Sequence, residues 1–341
     1  QLQPSSWNRS TLLFVLLLPL SHSTSVQFQV ASAAQSEREV RTDSPVRQFE
    51  NSLRNLDLSR KQSILAARQE FLKTYSAVRP EVQADAFRLF LAFYRDAIRI
   101  CDDEFCRRED LQRVLRLVAD ETGSYDSPLS ALAKSSSPAA SELKTNYHRE
   151  LKQLEEYREC GMDFRNSEGD WYLNEDLDFL LNLAASLSGE YRDYMLFHIE
   201  ESRQRIVEDA ALLISWEDLG RRIAHWERFA VCHPSLPETR TVIGPGIQTM
   251  MSWYLLGLDN TRAYDFSNKG AIDSKLYQSY GTFLERNSQS RYFELLSRVH
   301  ASLKESQCRM NQKLLDMLKS AGYRDSHLER EVARLVSTTP P

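Results

Sequence analysis

From Ser59 to about residue 121, apolar side chains recur at helical spacing, and no other feature constrains the fold as strongly. Ile64, Leu65, Phe71, Leu72, Tyr75 and Val78 form one such series. Pro80 opens a second, carrying Val82, Phe87, Phe90, Leu91, Tyr94 and Ile98, since the first turn of a helix does not need the N–H that proline lacks. A third, over about 108–121, aligns Leu111, Val114, Leu115 and Val118 on one side. With only 11 Gly and 11 Pro in 341 residues, the chain is poor in the turn residues an all-β fold uses. The predicted fold class is all-α, built of stacked antiparallel helix pairs.

The stretch "TGSYDSPLSALAKSSSPAASE", 122–142, is dense in Ser, Pro and Gly and reads as a break. Beyond it, Ser141 starts a helix aligning Leu143, Tyr147, Leu151, Leu154 and Tyr157, which ends at Cys160-Gly161, where glycine takes the left-handed cap. "MDFRNSEGDWYLN" reads either as a small hairpin turning at Glu168-Gly169 or as an irregular loop. Helices are then expected over 175–187, 190–213, 216–232, 238–256, 274–287 and 290–319, with a short one near 326–336. Asn174 is expected to cap the first of these, with Glu175 and Asp176 at its positive end. Ser215 and Asp218 resemble a capping box with Asp in place of Glu. The predicted organisation is a signal peptide (1–33), a flexible leader (34–58) turning helical near Phe49, an N-terminal helical part (59–121), a linker (122–140) and a larger helical domain (141–337).

The larger part echoes itself. "WERFAVCHPSLPETRTV" (226–242) lies over "YGTFLERNSQSRYFELL" (280–296) with Phe229 matching Phe283, and "EFLKTYSAVRPEVQADAF" (70–87) repeats the theme. Each is a helix ending in a sharp turn, so that the next helix packs back against it, and stacked units of this kind form an array. "FAVCHPSLP" and "FLERNSQS" resemble the helix-end pattern Phe-Leu-x-x-(Tyr/His/Asn)-Pro-x-Ser of tetratricopeptide-like helical-repeat proteins of the bacterial envelope. The resemblance covers 222–296. The Trp–Leu-Gly–Tyr signature of that family is absent, its 34-residue period is not kept, and Ser288 stands where its proline would be. It implies a tetratricopeptide-like or irregular helical array serving as a scaffold that grips protein segments in a groove, and it carries over no functional residue.

The apolar run 11–20 is too short to cross a bilayer, which takes about 20 apolar residues. Arg9 precedes it and Ala31-Ser32-Ala33 follows with the small–x–small pattern of a signal-peptidase site, which together read as a secretory signal. Ser21-His22-Ser23 is a competing cut, and a buried N-terminal helix is opposed by Pro19 and the Ser-rich exit. The expected location is therefore periplasmic or extracellular, with no integral membrane segment once the signal is removed. In such a compartment the cysteines at 101, 106, 160, 232 and 308 can pair. Cys101 and Cys106 are a possible disulfide if the helix between them breaks at 102–104. The alternative is that all five are small buried hydrophobes.

Catalytic signatures are scarce. HExxH, a Gly-rich phosphate loop, GxSxG, an EF-hand loop and an ExxH pair do not occur. A net charge of −5 offers no footprint for nucleic acid. Cys232-His233 with His225 reads as a helix end rather than a metal site, and neither a metal nor a cofactor is expected. In "FHIEESRQR" a Glu-Ser pair suggests the acid of glycan-cleaving enzymes, but such an acid must be desolvated in a cleft, and Glu200 and Glu201 sit in a solvated run. Asp176 and Asp178, two apart, do not face one another on a helix. The aromatics of the later helices read as core. If a groove exists, Trp226, Tyr254 and Tyr280 are the candidate binding residues. The expected function is an exported, non-catalytic binding or scaffold protein with a protein partner, and the alternative is a cell-wall hydrolase with Glu201 as general acid.

Overall fold

The computed structural model describes residues 44–338 apart from positions 126 and 168. The expected signal peptide and the leader up to residue 43 lie outside the described residues. The fold is all-α, with fifteen α-helices among the described residues and short two-stranded ribbons between some of them. The described residues fall into two compact units, one ending at Arg203 and the other beginning at Gln204.

The first unit opens with α1 (Pro45–Arg54), where Ser44 caps the N-terminus and Phe49 and Leu53 are buried. It continues with α2 (Gln62–Tyr75) and α3 (Pro80–Phe105), whose 26 residues bury one stripe from Gln83 to Phe105. An aromatic row knits these helices to α8 (Leu177–Ala184): Phe49 lies 5.1 Å from Tyr75, Phe71 5.4 Å from Phe87, Phe90 5.8 Å from Tyr94 and Tyr94 5.6 Å from Phe179. Each such side chain contributes about 1.5–3 kcal/mol by leaving water. α4 (Glu109–Thr122) ends at Gly123.

The segment expected as a linker, 122–140, carries α5 (Pro128–Lys134) and the start of α6 (Pro138–Asn146). Its prolines sit in first turns, Ser137 caps α6, and Leu129 and Leu132 are buried, with α5 packed on α4. Residues with the composition of a loop thus serve as helix starts. α7 (His148–Glu159) leads into the hairpin of β1 (Met162–Ser167) and β2 (Asp170–Glu175), and α9 (Gly189–Arg203) closes the unit. At the α7–β1 junction Gly161 has φ +86°, and a Cβ there would lie 2.7 Å from the Phe179 ring, so both conformation and contact require glycine.

The second unit is a run of helix pairs: α10 (Trp216–Cys232) with α11 (Gly244–Leu256), α12 (Ser274–Arg286) with α13 (Phe293–Glu305), and α14 (Gln312–Ser320) with α15 (Ser326–Thr338). α10 packs on both α11 and α12, and each later helix packs on the one before. Ser215 caps α10 by accepting from the Asp218 N–H at 3.0 Å, as the capping-box pattern predicts. Gly246 allows α11 to rest on Trp226, because a Cβ there would lie 2.4 Å from the indole.

Two expected helices end early. The helix expected over 190–213 stops at Arg203, and 207–212 forms the ribbon of β3 (Val207–Glu208) and β4 (Ala211–Leu212), which turns through Asp209 and Ala210, both left-handed. The helix expected over 290–319 is split at Gln307 and Cys308, also left-handed, because the Cys308 carbonyl accepts from Ile272 N at 2.9 Å and Met310 N donates to Gly270 O at 2.8 Å. These bonds draw the chain onto β8 (Ala271–Ile272), which pairs with β7 (Tyr264–Asp265) beyond the ribbon of β5 (Gly257–Leu258) and β6 (Thr261–Arg262).

Candidate functional site

A group of polar and ionisable side chains with internal partners lies in the first unit, where β2 meets α3 and α4. β1 and β2 alternate, burying Met162, Phe164, Trp171 and Leu173 on one face. An isolated two-stranded hairpin is marginal in water, and the outer edge of β2 presents backbone groups that β1 does not use. Helix side chains serve that edge. Gln112 acts as a strand would, accepting from Trp171 N at 3.1 Å and donating to Trp171 O at 2.9 Å. Asp102 accepts from Leu173 N at 2.6 Å. The Tyr94 hydroxyl donates to Gly161 O and accepts from Asp176 N at 3.0 Å, joining the two ends of the hairpin. Arg95 pairs with Glu175.

The surroundings move the ionisation of these groups. Burial raises the Asp102 carboxyl above the usual range, against the lowering effect of the Leu173 N–H and the Cys106 thiol. Burial likewise raises Asp163 on β1, opposed by Arg165. The Tyr94 phenol is pushed well up, first by burial and then by Glu175. His198 on α9, stacked 5.8 Å from Tyr194, is lowered by burial and by Arg95, while Glu175 works in the opposite direction. Gln112, Asp102, Tyr94 and Arg95 are each engaged with a backbone or ionic partner of the hairpin, so the arrangement fastens it. Asp176, rather than Asn174, caps α8, accepting from Asp178 N and Phe179 N, because Asn174 and Glu175 are still paired in β2.

Trp226, Tyr254 and Tyr280 are in the core instead of lining a groove. Their exposures are 3%, 0% and 0%, Tyr280 donates to Tyr254 O at 2.8 Å, and the Tyr254 hydroxyl meets that of Ser279 at 2.5 Å. No disulfide joins Cys101 to Cys106: α3 runs unbroken through 102–104, which turns Cys101 toward Leu58 O and Cys106 toward Asp102 and Trp171 O. Glu200 is exposed and Glu201 half-buried at the end of α9. Cys232 is exposed, and the His233 ring lies tilted against Phe229 with centroids 4.4 Å apart. Among the described residues no group of His, Cys, Asp and Glu is arranged to hold a metal, and no helix is long and apolar enough to cross a membrane.

In the second unit a depression of about 370 Å³ is lined by Arg262, Asp265, Asn268, Ala271, Ile272 and Asp273. Both carboxylates there are engaged in their own turns. Asp265 accepts from Ser267, which lowers its pKa, and Asp273 caps α12 by accepting from Lys275 N and Leu276 N.

The β2 edge escaped the sequence reading, although one signal was present. Asp102 follows Tyr94 and Ile98 at four-residue steps along the α3 stripe, and an acid on an apolar stripe asks for a buried donor. No known protein family matches the chain, and no curated protein and no solved structure matches it.

Proposed function

We propose that the chain is an exported, non-catalytic binding or scaffold protein that holds another envelope or secreted protein between its helix pairs, in the manner of a tetratricopeptide-like array. The observation that supports this reading is the succession α10–α11, α12–α13, α14–α15, in which α10 packs on both its partner and the first helix of the next pair. Helices stacked in this way build an extended surface that a protein segment can follow. The apolar run 11–20 and Ala31-Ser32-Ala33 support export.

With Trp226, Tyr254 and Tyr280 in the core, the contacts to a partner fall to exposed side chains of the array, of which Arg221 and Arg228 lie two turns apart on α10. The test is crosslinking in the native host, followed by purification and peptide mapping. One recurring protein partner, crosslinked to the second unit and lost from the double variant Arg221→Glu/Arg228→Glu, is the expected result. Glycan turnover abolished by Glu201→Gln, or the absence of any protein crosslink, overturns the proposal.

A further inference from the structure

Two of the five cysteines are buried on neighbouring elements of the first unit. Cys101, near the end of α3, is 3% exposed, and Cys160, just past α7, is 2% exposed. The Cys101 Sγ lies 3.9 Å from Leu58 O and 4.0 Å from Ser59 O, in the connection between α1 and α2. Two residues on, the Lys61 ammonium sits 4.2 Å from the centre of the Tyr157 ring and 3.1 Å from Glu156 Oε2, on the last turns of α7. The same connection therefore touches Cys101 at one end and α7 at the other. A second link closes the triangle: Phe105, one turn beyond Cys101 on the same face of α3, has its ring 5.7 Å from Tyr157, and Cys160 follows Tyr157 by three residues. The charge of Lys61 acts on both thiols, and that of Cys160 on Cys101.

We propose that Cys101 and Cys160 are a disulfide-forming pair that, in an oxidising compartment, ties the end of α3 to the end of α7. The oxidant is a low-molecular-weight disulfide. One protein thiolate attacks it and expels a small thiol, leaving a mixed disulfide. The second protein thiolate then displaces the remaining small group. The two protein thiols give up two electrons and two protons in all, and the small disulfide becomes two thiols. Cys106 takes no part, because it is exposed and α3 runs unbroken between it and Cys101, which sets the two on different sides of the helix.

Burial pushes the Cys101 thiol up to about 11 and raises that of Cys160 as well, so exchange into the folded protein is slow at neutral pH and the bond forms most readily during folding. The pairing rests on the geometry of the first unit alone, so it is tested apart from any partner or cellular location. Reduced protein is brought to equilibrium with mixtures of glutathione and glutathione disulfide, both from the folded state and by refolding. It is then unfolded in an alkylating reagent and mapped by peptide mass. The expected product links Cys101 to Cys160 and leaves Cys106, Cys232 and Cys308 alkylated, while Cys101→Ser and Cys160→Ser each leave the other residue of the pair alkylated. Five alkylated thiols at every ratio, or a link to any other cysteine, overturns the assignment.

Discussion

His198 sits half-buried on α9 beside Tyr194, within reach of the opposed charges of Glu175 and Arg95. Burial dominates and holds its folded-state pKa below 6.5, the ordinary imidazole value. The sign follows from linkage. As the pH falls through 6.5 the unfolded chain takes up a proton before the folded one, so the folded state loses stability below that pH and is indifferent to this group above it. His300 on α13, stacked 4.5 Å from Tyr277 and lowered by burial and by Lys304, adds a contribution of the same sign. Asp102 and Asp163, raised by burial, act oppositely and at lower pH: their contribution declines as the pH rises from 3.8, the ordinary carboxyl value, toward their folded-state values. Urea midpoints measured at a series of pH values are expected to fall below pH 6.5, less steeply in His198→Gln and least in the double variant with His300→Gln. An unchanged slope in the double variant would show that neither imidazole is desolvated by folding.

Among the elements, the β1–β2 hairpin depends most clearly on side chains elsewhere in the sequence. Gln112 supplies both a donor and an acceptor to Trp171. Gln112→Glu keeps the acceptor but sets a carboxylate against the Trp171 carbonyl, leaving one backbone acceptor unserved at a cost of about 1–3 kcal/mol. The expected result is a lower unfolding midpoint together with faster amide exchange in β2, and Gln112→Leu tests the loss of both bonds. Helix positions were legible in the sequence because each amphipathic stripe repeats over several turns, as from Val82 to Ile98, and because Ser215 and Gly161 mark ends by local chemistry. The ribbons at 207–212, 257–262 and 264–272 were not legible, since strands of two residues carry no period to detect. The β2 edge was hidden for a different reason. Gln112 and Trp171 are 59 residues apart, and nothing in either local stretch announces the other. Trp226, Tyr254 and Tyr280 read foremost as core, which is where they lie, and count as groove candidates only if a groove exists, because a stripe of aromatics reads alike whether it faces a ligand or another helix.

On the scale of the whole chain, the division of contacts at Arg203 and Gln204 carries an energetic expectation. In the second unit Trp226 rests on Gly246, and Tyr280 on the end of α11, so one misplaced methyl disturbs α10, α11 and α12 together. Gly246→Ala puts a Cβ 2.4 Å from the Trp226 ring, and an indole held at 3% exposure has little room to yield. Overpacking of this kind costs about 1–3 kcal/mol, against the roughly 1 kcal/mol by which alanine improves helix propensity over glycine, and a net loss is expected because the Cβ falls so close to the indole. If the contact units are also units of cooperative opening, amide exchange in Gly246→Ala should speed up across α10–α13 while α3, α4 and β2 keep their wild-type protection. Gln112→Glu should do the reverse, loosening β2 and leaving α10–α13 unchanged. Hydrogen exchange read by mass spectrometry on the two variants distinguishes this from a single cooperative block, in which either substitution would accelerate exchange throughout the chain. In that case the division at Arg203 would describe only where contacts are sparse, and the array of helix pairs would have to be treated as one body from Ser44 onward.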